Sequence, residues 1–458
     1  MTEQVEQVDV VVLGLGPGGE DVAGRLAEAG LDVVGIEGKL LGGECPYWGC
    51  VPSKMMIRAG NLLAEARRVP GMAGSSTVTP DWAPVARRIR EEATDNWDDK
   101  VAVDRFVGKG GRFVRGWGHL DGPSRVVVGE VAYEARRAVV VATGAKPWAP
   151  PIPGLDELED RYWTNRQAIE TESVPASLVV LGGGAIGVEL GQVFARFGTD
   201  VSIVEAAPRL LALEEPESSA LAAEVLGRDG VHVHTSARIT AVHADDGGFV
   251  IELDGAAPVT GERLLVATGR HPDLAAINVT SLGLDDTAKG LPVDDHLRVT
   301  DGVWGIGDVT GVGAFTHVSM YQANICVEDI LGHDPAPADY RALPRVTFTD
   351  PEIGSVGLSE AAARDNGLDV RVGQYPIPKS TRGWIHKAGN EGFIKLVEDT
   401  GRGVLVGATS AGPTGGEVLG MLTLAIHAEV PVQQLRRMIY AYPTFHRAVE
   451  AALTDLVS

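Results

Sequence analysis

One pattern occurs twice in this chain and restricts what it can fold into. Residues 8–13 are an apolar, β-branched run that reads as a buried strand, followed by Gly14-Leu-Gly16-Pro-Gly18-Gly19 and a helical stretch to about Ala29. A second apolar run, residues 31–36, then ends at Glu37. Strand, glycine turn, helix, strand and acid together make a dinucleotide fingerprint. Gly14, Gly16 and Gly19 let the backbone approach a pyrophosphate at a helix N-terminus, and Glu37 is placed to accept ribose hydroxyls. The unit recurs as residues 178–181, the turn Gly182-Gly-Gly184-Ala-Ile-Gly187, and residues 201–204 ending at Glu205, at the same offset from its first glycine. A lone glycine triplet is a weak signal; two copies in full context predict two bound dinucleotides. Each unit is followed by a strand that ends in a turn, at residues 139–144 and 264–270, which reads as the closing strand of its domain.

The second feature is chemical. Residues 42–54, Gly-Gly-Glu-Cys-Pro-Tyr-Trp-Gly-Cys-Val-Pro-Ser-Lys, hold Cys45 and Cys50, two of only three cysteines in 458 residues. So few cysteines exclude a secreted disulfide framework and point to a thiol-reducing, cytoplasmic setting. Two thiols delivered beside a bound dinucleotide suggest a redox relay. The thiolate is the reactive form, and a helix starting near Cys50 would stabilise it through its dipole. The competing readings are a zinc half-site, for which no His-x-x-His stands nearby, and a passive pair. Cys326, in the run Ala-Asn-Ile-Cys-Val, reads as a buried small hydrophobe.

A net charge of −22 excludes the usual basic surfaces for nucleic acid or anionic membrane. No apolar run reaches the ~20 residues that span a bilayer, and the acidic residues 1–9 lack a signal-peptide pattern. Residues 82–93 read as an amphipathic scaffold helix. Proline-rich residues 147–153 mark one boundary, and a second falls near residues 271–278, after which residues 303–308 supply another strand ending in an acid, Asp308. From about Pro344 the pattern changes to strands at 345–348 and 393–397 with helices near 417–428 and 444–456, an α+β domain. The division expected is 1–150, a first dinucleotide-binding domain with the cysteine pair; 151–275, a second dinucleotide-binding domain; 276–343, a return segment of the first; and 344–458, a C-terminal α+β domain.

The two fingerprints, the motif from Cys45 to Lys54, Ala142-Thr-Gly144, Ala267-Thr-Gly-Arg270, Gly307-Asp308 and Phe348-Thr-Asp-Pro-Glu-Ile together resemble the flavin disulfide reductases, which include lipoamide dehydrogenase, glutathione reductase and mercuric reductase. The likeness covers essentially the whole length. It implies an α/β fold with two glutathione-reductase-like three-layer domains and a C-terminal α+β domain that makes a homodimer with a shared active site. It also implies FAD at the first site and a nicotinamide at the second, with Gly43, Gly118, Thr143, Gly144, Gly269, Arg270 and Gly307 among the cofactor-binding residues. Asp308 then contacts the ribityl chain. Cys50 faces the flavin and Cys45 exchanges with substrate, while Lys54, paired with Glu189, lies near the reactive flavin nitrogen. Glu205 favours NADH, since a carboxylate accepts from the 2′-hydroxyl and repels a 2′-phosphate; Arg209 could soften that preference or be a plain surface cation.

The chain departs from this family at the expected acid-base. Lipoamide dehydrogenase and glutathione reductase carry a His-Pro with a glutamate five residues on; here Tyr442 and Arg447 stand in those places, with His446 between them as a candidate substitute. A phenol with an ordinary pKa near 10 is a poor base at neutral pH, so dihydrolipoamide oxidation should suffer, while Tyr442 can still donate a proton to a substrate being reduced. Mercuric reductase also has tyrosine here but adds cysteine pairs that this sequence does not display, which argues against efficient mercury turnover. Glu44, Pro46, Tyr47 and Trp48 depart from the family's smaller residues and narrow or acidify the approach to the disulfide, or simply pack. The function expected is electron transfer from NAD(P)H through FAD to Cys45–Cys50 and on to a disulfide or other acceptor. Direct flavin chemistry on a quinone, a metal ion or a biosynthetic small molecule is one alternative, and a dehydrogenase subunit of a multienzyme complex another.

Overall fold

The computed structural model describes residues 4–456; residues 1–3 and 457–458, which carry part of the terminal readings above, lie outside it. By contacts the chain forms two compact units. One is built from the residues up to Ser53 with Ala86–Trp148 and Gly269–Asp339; the other from Lys54–Val85, Ala149–Thr268 and the residues from Tyr340 onward.

The core of the first unit is a parallel sheet in the order Val303–Gly305, Val131–Val141, Gln4–Leu13, Val33–Glu37, Arg112–Arg115. The first strand is flanked on both sides, Val11 pairing with Val34 and with Val139. Both faces of its inner end are therefore covered, and residues 10–13 are buried and apolar without alternation, whereas Gln4, Glu6, Gln7 and Asp9 lie outside that run. Val10 and Val12 face one core with Val22, Leu26, Phe106 and Ile325, while Val11 and Leu13 face another with Val34, Leu120 and Val126. Helices Pro17–Glu28 and Thr316–Ile330 contribute to the first core, and the antiparallel strands Gly118–Leu120 and Arg125–Val128 to the second. The result is three layers, helix, sheet and sheet.

The second unit repeats the plan. Its parallel sheet runs His232–His234, Asp200–Val204, Ser177–Leu181, Arg263–Val266, beside an antiparallel sheet of Ile239–Asp245, Gly248–Leu253 and Val259–Gly261. The same unit carries the α+β part, a five-stranded antiparallel sheet ordered Pro344–Thr347, Glu352–Gly357, Val404–Gly412, Phe393–Asp399, Val370–Pro376. Helices Gly415–His427 and His446–Asp455 bury Leu419, Leu422, Val449 and Leu453 against it.

Two local readings need correction. The second strand of the first fingerprint covers Val33–Glu37, starting later than residue 31. The helix read at 82–93 is α-helical only over Ala83–Arg88; Ile89–Ala93 widens into a π turn, closed by a Thr94 N–H to Ile89 carbonyl bond of 3.1 Å. A side-chain bond from Thr94 Oγ1 to the same carbonyl, also 3.1 Å, holds the wider turn. Cys45 received no element of its own from the sequence. It sits in a short helix of its own, Glu44–Trp48, and the helix Cys50–Arg68 follows after Gly49. Among the described residues no helix is long and apolar enough to cross a membrane.

Candidate active site

The two glycine turns are built alike. Gly14 has φ +93°, and a Cβ there would stand 2.5 Å from the carbonyl oxygen of Ala142; Gly182 has φ +104° and would meet the carbonyl of Ala267 in the same way. Cβ atoms at Gly19 and Gly187 would run into the carbonyls of Gly14 and Gly182, so only glycine lets each helix come this close to its strand. Gly16 and Gly184 differ from these: each is the N-cap of a 12-residue helix, neither helix has a side-chain cap, and a Cβ at either would meet nothing within 4 Å. Both helix starts thus have amide donors without a side-chain cap and room beside the capping glycine, the arrangement that suits a pyrophosphate. Gly43, at φ +69°, closes on Gly16, where a Cβ would come within 2.7 Å of its Cα.

Both acidic residues hold their own turn. Glu37 accepts from the amides of Leu15 (2.9 Å) and Lys39 (2.8 Å), and Glu205 from those of Gly183 and Ala207 (2.6 Å each). The positions correspond one for one. Thr143 backs Gly14, and Gly144 follows at φ +68°. Gly118 starts its strand against Leu13, next to Trp117, whose ring lies on Gly38. Arg209 is tied to the carbonyls of Leu211, Ala212 and Glu214 and to Ser219 Oγ, which makes it a brace of its own loop.

Around the cysteines the first unit gathers residues far apart in sequence. Cys50 opens a 19-residue helix with no acid in its first turn, so the helix field favours a thiolate there. Cys50 Sγ lies 3.3 Å from Thr316 Oγ1. The Cys45 thiol is pushed far up, chiefly by its hydrogen bond to Cys50 and then by burial, with the Thr316 hydroxyl pulling the other way. Cys45 thus holds its proton more tightly than an ordinary thiol. Thr316 was not foreseen; it is the first residue of Thr316–Ile330, and no local motif marks it. Tyr47, between the cysteines, is buried and donates from its hydroxyl to the Leu41 carbonyl at 3.1 Å. Asp99 accepts from the Leu41 amide at 2.6 Å and pairs with Arg115, which fixes the loop leading to Cys45.

Asp308 follows Gly307, which is at φ +78°. Burial pushes its carboxyl up, opposed by Arg270, with Cys50 and Glu44 adding to the rise. Arg270, after Gly269, donates to the Ala145 carbonyl and reaches Glu44 Oε2 at 3.6 Å. Cys326 is buried, as its apolar neighbours suggested.

In the second unit Lys54 Nζ is 2.8 Å from Glu189 Oε2 and 4.6 Å from the centre of the Phe348 ring. Glu189, 5% exposed, also accepts from the Phe348 amide at 2.8 Å. Tyr442 is exposed, its hydroxyl 3.5 Å from Thr381 Oγ1, with the Arg447 guanidinium 5.8 Å from its ring centre. Arg447 pairs with Glu450 at 2.6 Å, and His446 begins the last helix, half-buried.

Duplicated nucleotide cradles and a hydrogen-bonded cysteine pair define a disulfide oxidoreductase with two dinucleotide sites. The chain belongs to the pyridine nucleotide-disulphide oxidoreductases: that family's model matches residues 8–323, and the model of the family's dimerisation domain matches residues 343–453. It is 33% identical over 467 residues to dihydrolipoyl dehydrogenase of Chlorobaculum tepidum, covering 98% of this chain and 97% of that one. To the enzyme of the same name from Halobacterium salinarum it is 34% identical over 466 residues, covering 97% and 95%. The HOCl-induced flavoprotein disulfide reductase RclA from Escherichia coli superposes with TM-score 0.84 at 25% identity over 98% of each chain. LpdA from Mycobacterium tuberculosis superposes with TM-score 0.86 at 24% identity over 98% of this chain and 100% of its own, a likeness of fold. The protein is a flavoprotein disulfide oxidoreductase of a family that uses FAD and NAD(P)H.

Proposed function

We propose that this enzyme takes two electrons from NADH, passes them to the Cys45–Cys50 disulfide, and reduces a small disulfide in a thiol-reducing cytoplasm. The net reaction is NADH + H⁺ + RSSR → NAD⁺ + 2 RSH. When bound, FAD supplies the two-electron relay between nicotinamide and disulfide. The amides at Gly16 hold its pyrophosphate and Asp308 its ribityl chain, with Glu37, Gly43, Gly118, Thr143 and Gly144 around the rest. The amides at Gly184 hold the coenzyme pyrophosphate and Glu205 its ribose, and Arg209, occupied by its own loop, leaves a 2′-phosphate without that partner. Lys54, held by Glu189, presents a cation at the fifth residue of the helix that Cys50 opens.

The chemistry of the pair follows from its proton. Cys45, once deprotonated, attacks the acceptor disulfide; a Cys45–S–S–R bond forms and one thiol leaves. Cys50 thiolate then attacks Cys45, restoring the intramolecular disulfide and expelling the second thiol. Tyr442, from the other subunit of a homodimer, donates a proton to a leaving thiolate, a role a phenol performs more readily than that of base. The observation that carries this reading is the hydrogen-bonded Cys45–Cys50 pair with Cys50 at a helix start.

One equivalent of NADH added without oxygen tests it. The expected result is a long-wavelength thiolate-to-flavin absorption that Cys50→Ser abolishes. Turnover of the true acceptor unaffected by Cys45→Ala would overturn the relay and favour direct chemistry at the flavin.

A further inference from the structure

Glu44 is the first residue of the short helix that carries Cys45, and its carboxylate meets Arg270 at 3.6 Å, an ion pair longer than a charge-assisted hydrogen bond. Arg270 also donates to the Ala145 carbonyl, so its guanidinium is shared between that acceptor and Glu44. The Glu44 side chain keeps 28% of its surface exposed against 15% for Arg270, so solvent and any arriving molecule meet the carboxylate more than the guanidinium. Asp308 adds a second acid whose carboxyl feels both Glu44 and Cys50.

We propose that Glu44 is a specificity-determining residue: it makes the approach to Cys45 negative, so that the acceptor is a disulfide that is neutral or cationic near its sulfurs, and anionic disulfides are turned away. This rests on Cys45 as the exchanging thiol and names the substrate class for that same site. A unit charge close to the reacting sulfur, at a dielectric between protein surface and water, changes encounter by a factor of about 2 to 3 for each charge sign, so that cation and anion differ by about 5 to 10. Such a field is screened within roughly 10 Å at 0.1 M salt, so the discrimination depends on ionic strength.

The test needs no acceptor and no turnover. In FAD-loaded enzyme carrying Cys50→Ser, Cys45 is the accessible thiol, because Cys326 is buried. It is modified with two methanethiosulfonates, one transferring a trimethylammonium-ethylthio group and one a sulfonato-ethylthio group; each forms a disulfide with the thiolate and releases methanesulfinate. Both reagents meet the same thiolate, so their rate ratio, divided by the ratio for a small free thiol, reports local charge alone. The expected normalised ratio is about 5 to 10 in favour of the cation, falling toward 1 in Glu44→Gln and in 0.5 M salt, and rising in Arg270→Gln. A normalised ratio at or below 1, or one that neither salt nor Glu44→Gln changes, overturns the proposal. Salt dependence in the chain with Glu44 intact decides the matter even where Glu44→Gln fails to fold. Failure of the relay itself would appear separately, as a missing long-wavelength band on NADH addition.

Discussion

Thr316→Val removes one hydroxyl and keeps the β-branched shape at the start of its helix. In the wild type that hydroxyl lies 3.3 Å from Cys50 Sγ and also lowers the pKa of Cys45. A hydroxyl has one proton and serves one sulfur at a time, so a single donor is lost. Hydrogen bonds to ionised groups contribute about 1.5–3 kcal/mol, and a long bond to sulfur belongs at or just below the lower end. A loss of ~1.4 kcal/mol corresponds to one pK unit. With the thiolate less well solvated the proton is held more tightly, so the apparent pKa of the reduced pair should rise by about one unit. That value belongs to the pair and not to either thiol. Two measurements check it, the pH titration of the long-wavelength band in the two-electron reduced enzyme and the pH dependence of iodoacetamide alkylation. Thr316→Ser, which keeps the donor, should titrate like the wild type. A shift below roughly 0.3 unit in Thr316→Val, with flavin content intact, refutes the assignment of this hydroxyl as a thiolate donor.

Three further outcomes are expected. Lys395, 3% exposed, pairs with Glu215, Glu217 and Glu360 at 3.0, 2.9 and 3.1 Å; Lys395→Met strands the buried Glu215 and should lower unfolding stability by about 3–5 kcal/mol in denaturant titrations, with Glu215→Gln recovering part. Burial works to raise Glu360, but Lys395 and Arg364 outweigh it and set its pKa low, so its contribution is present above the unfolded value near 4.3 and is lost as pH falls below it. Acid unfolding between pH 3 and 5 should accordingly be shallower in Lys395→Met than in the wild type. Lys54→Met leaves Glu189 with the Phe348 amide alone and should slow reduction by NADH, read by stopped-flow absorbance, by about 10²; an unchanged rate removes Lys54 from the proposed machinery. Tyr442→His should increase dihydrolipoamide oxidation by about 10-fold or more, and no gain would mean that the phenol is not what limits that direction.

The parts of the molecule that were legible beforehand are those whose chemistry is local. Gly14 to Glu37 and Gly182 to Glu205 declare themselves because backbone approach demands glycine at fixed spacing, and Cys45 and Cys50 because thiols are rare here. Long-range contacts were hidden. Thr316 lies 266 residues from Cys50, and nothing near it in the chain distinguishes it from any helix-starting threonine. Lys54 and Glu189, 135 residues apart, were joined only through resemblance to a family. The short helix around Cys45 was not read, since proline and two aromatics inside five residues give no helical periodicity. Its hold comes from Tyr47 on the Leu41 carbonyl and Asp99 on the Leu41 amide, which no periodicity records.

The matched bonds that Glu37 and Glu205 make to their own turns bear on attempts to retool this scaffold. Replacing Glu205 with a small or basic residue, the obvious way to invite a phosphorylated coenzyme, would also release the Gly183 and Ala207 amides. The loop would then lose its shape before any new partner arrived. A workable redesign has to keep an acceptor at that spot, such as a serine or asparagine oxygen, and bring the new cation from a neighbouring position.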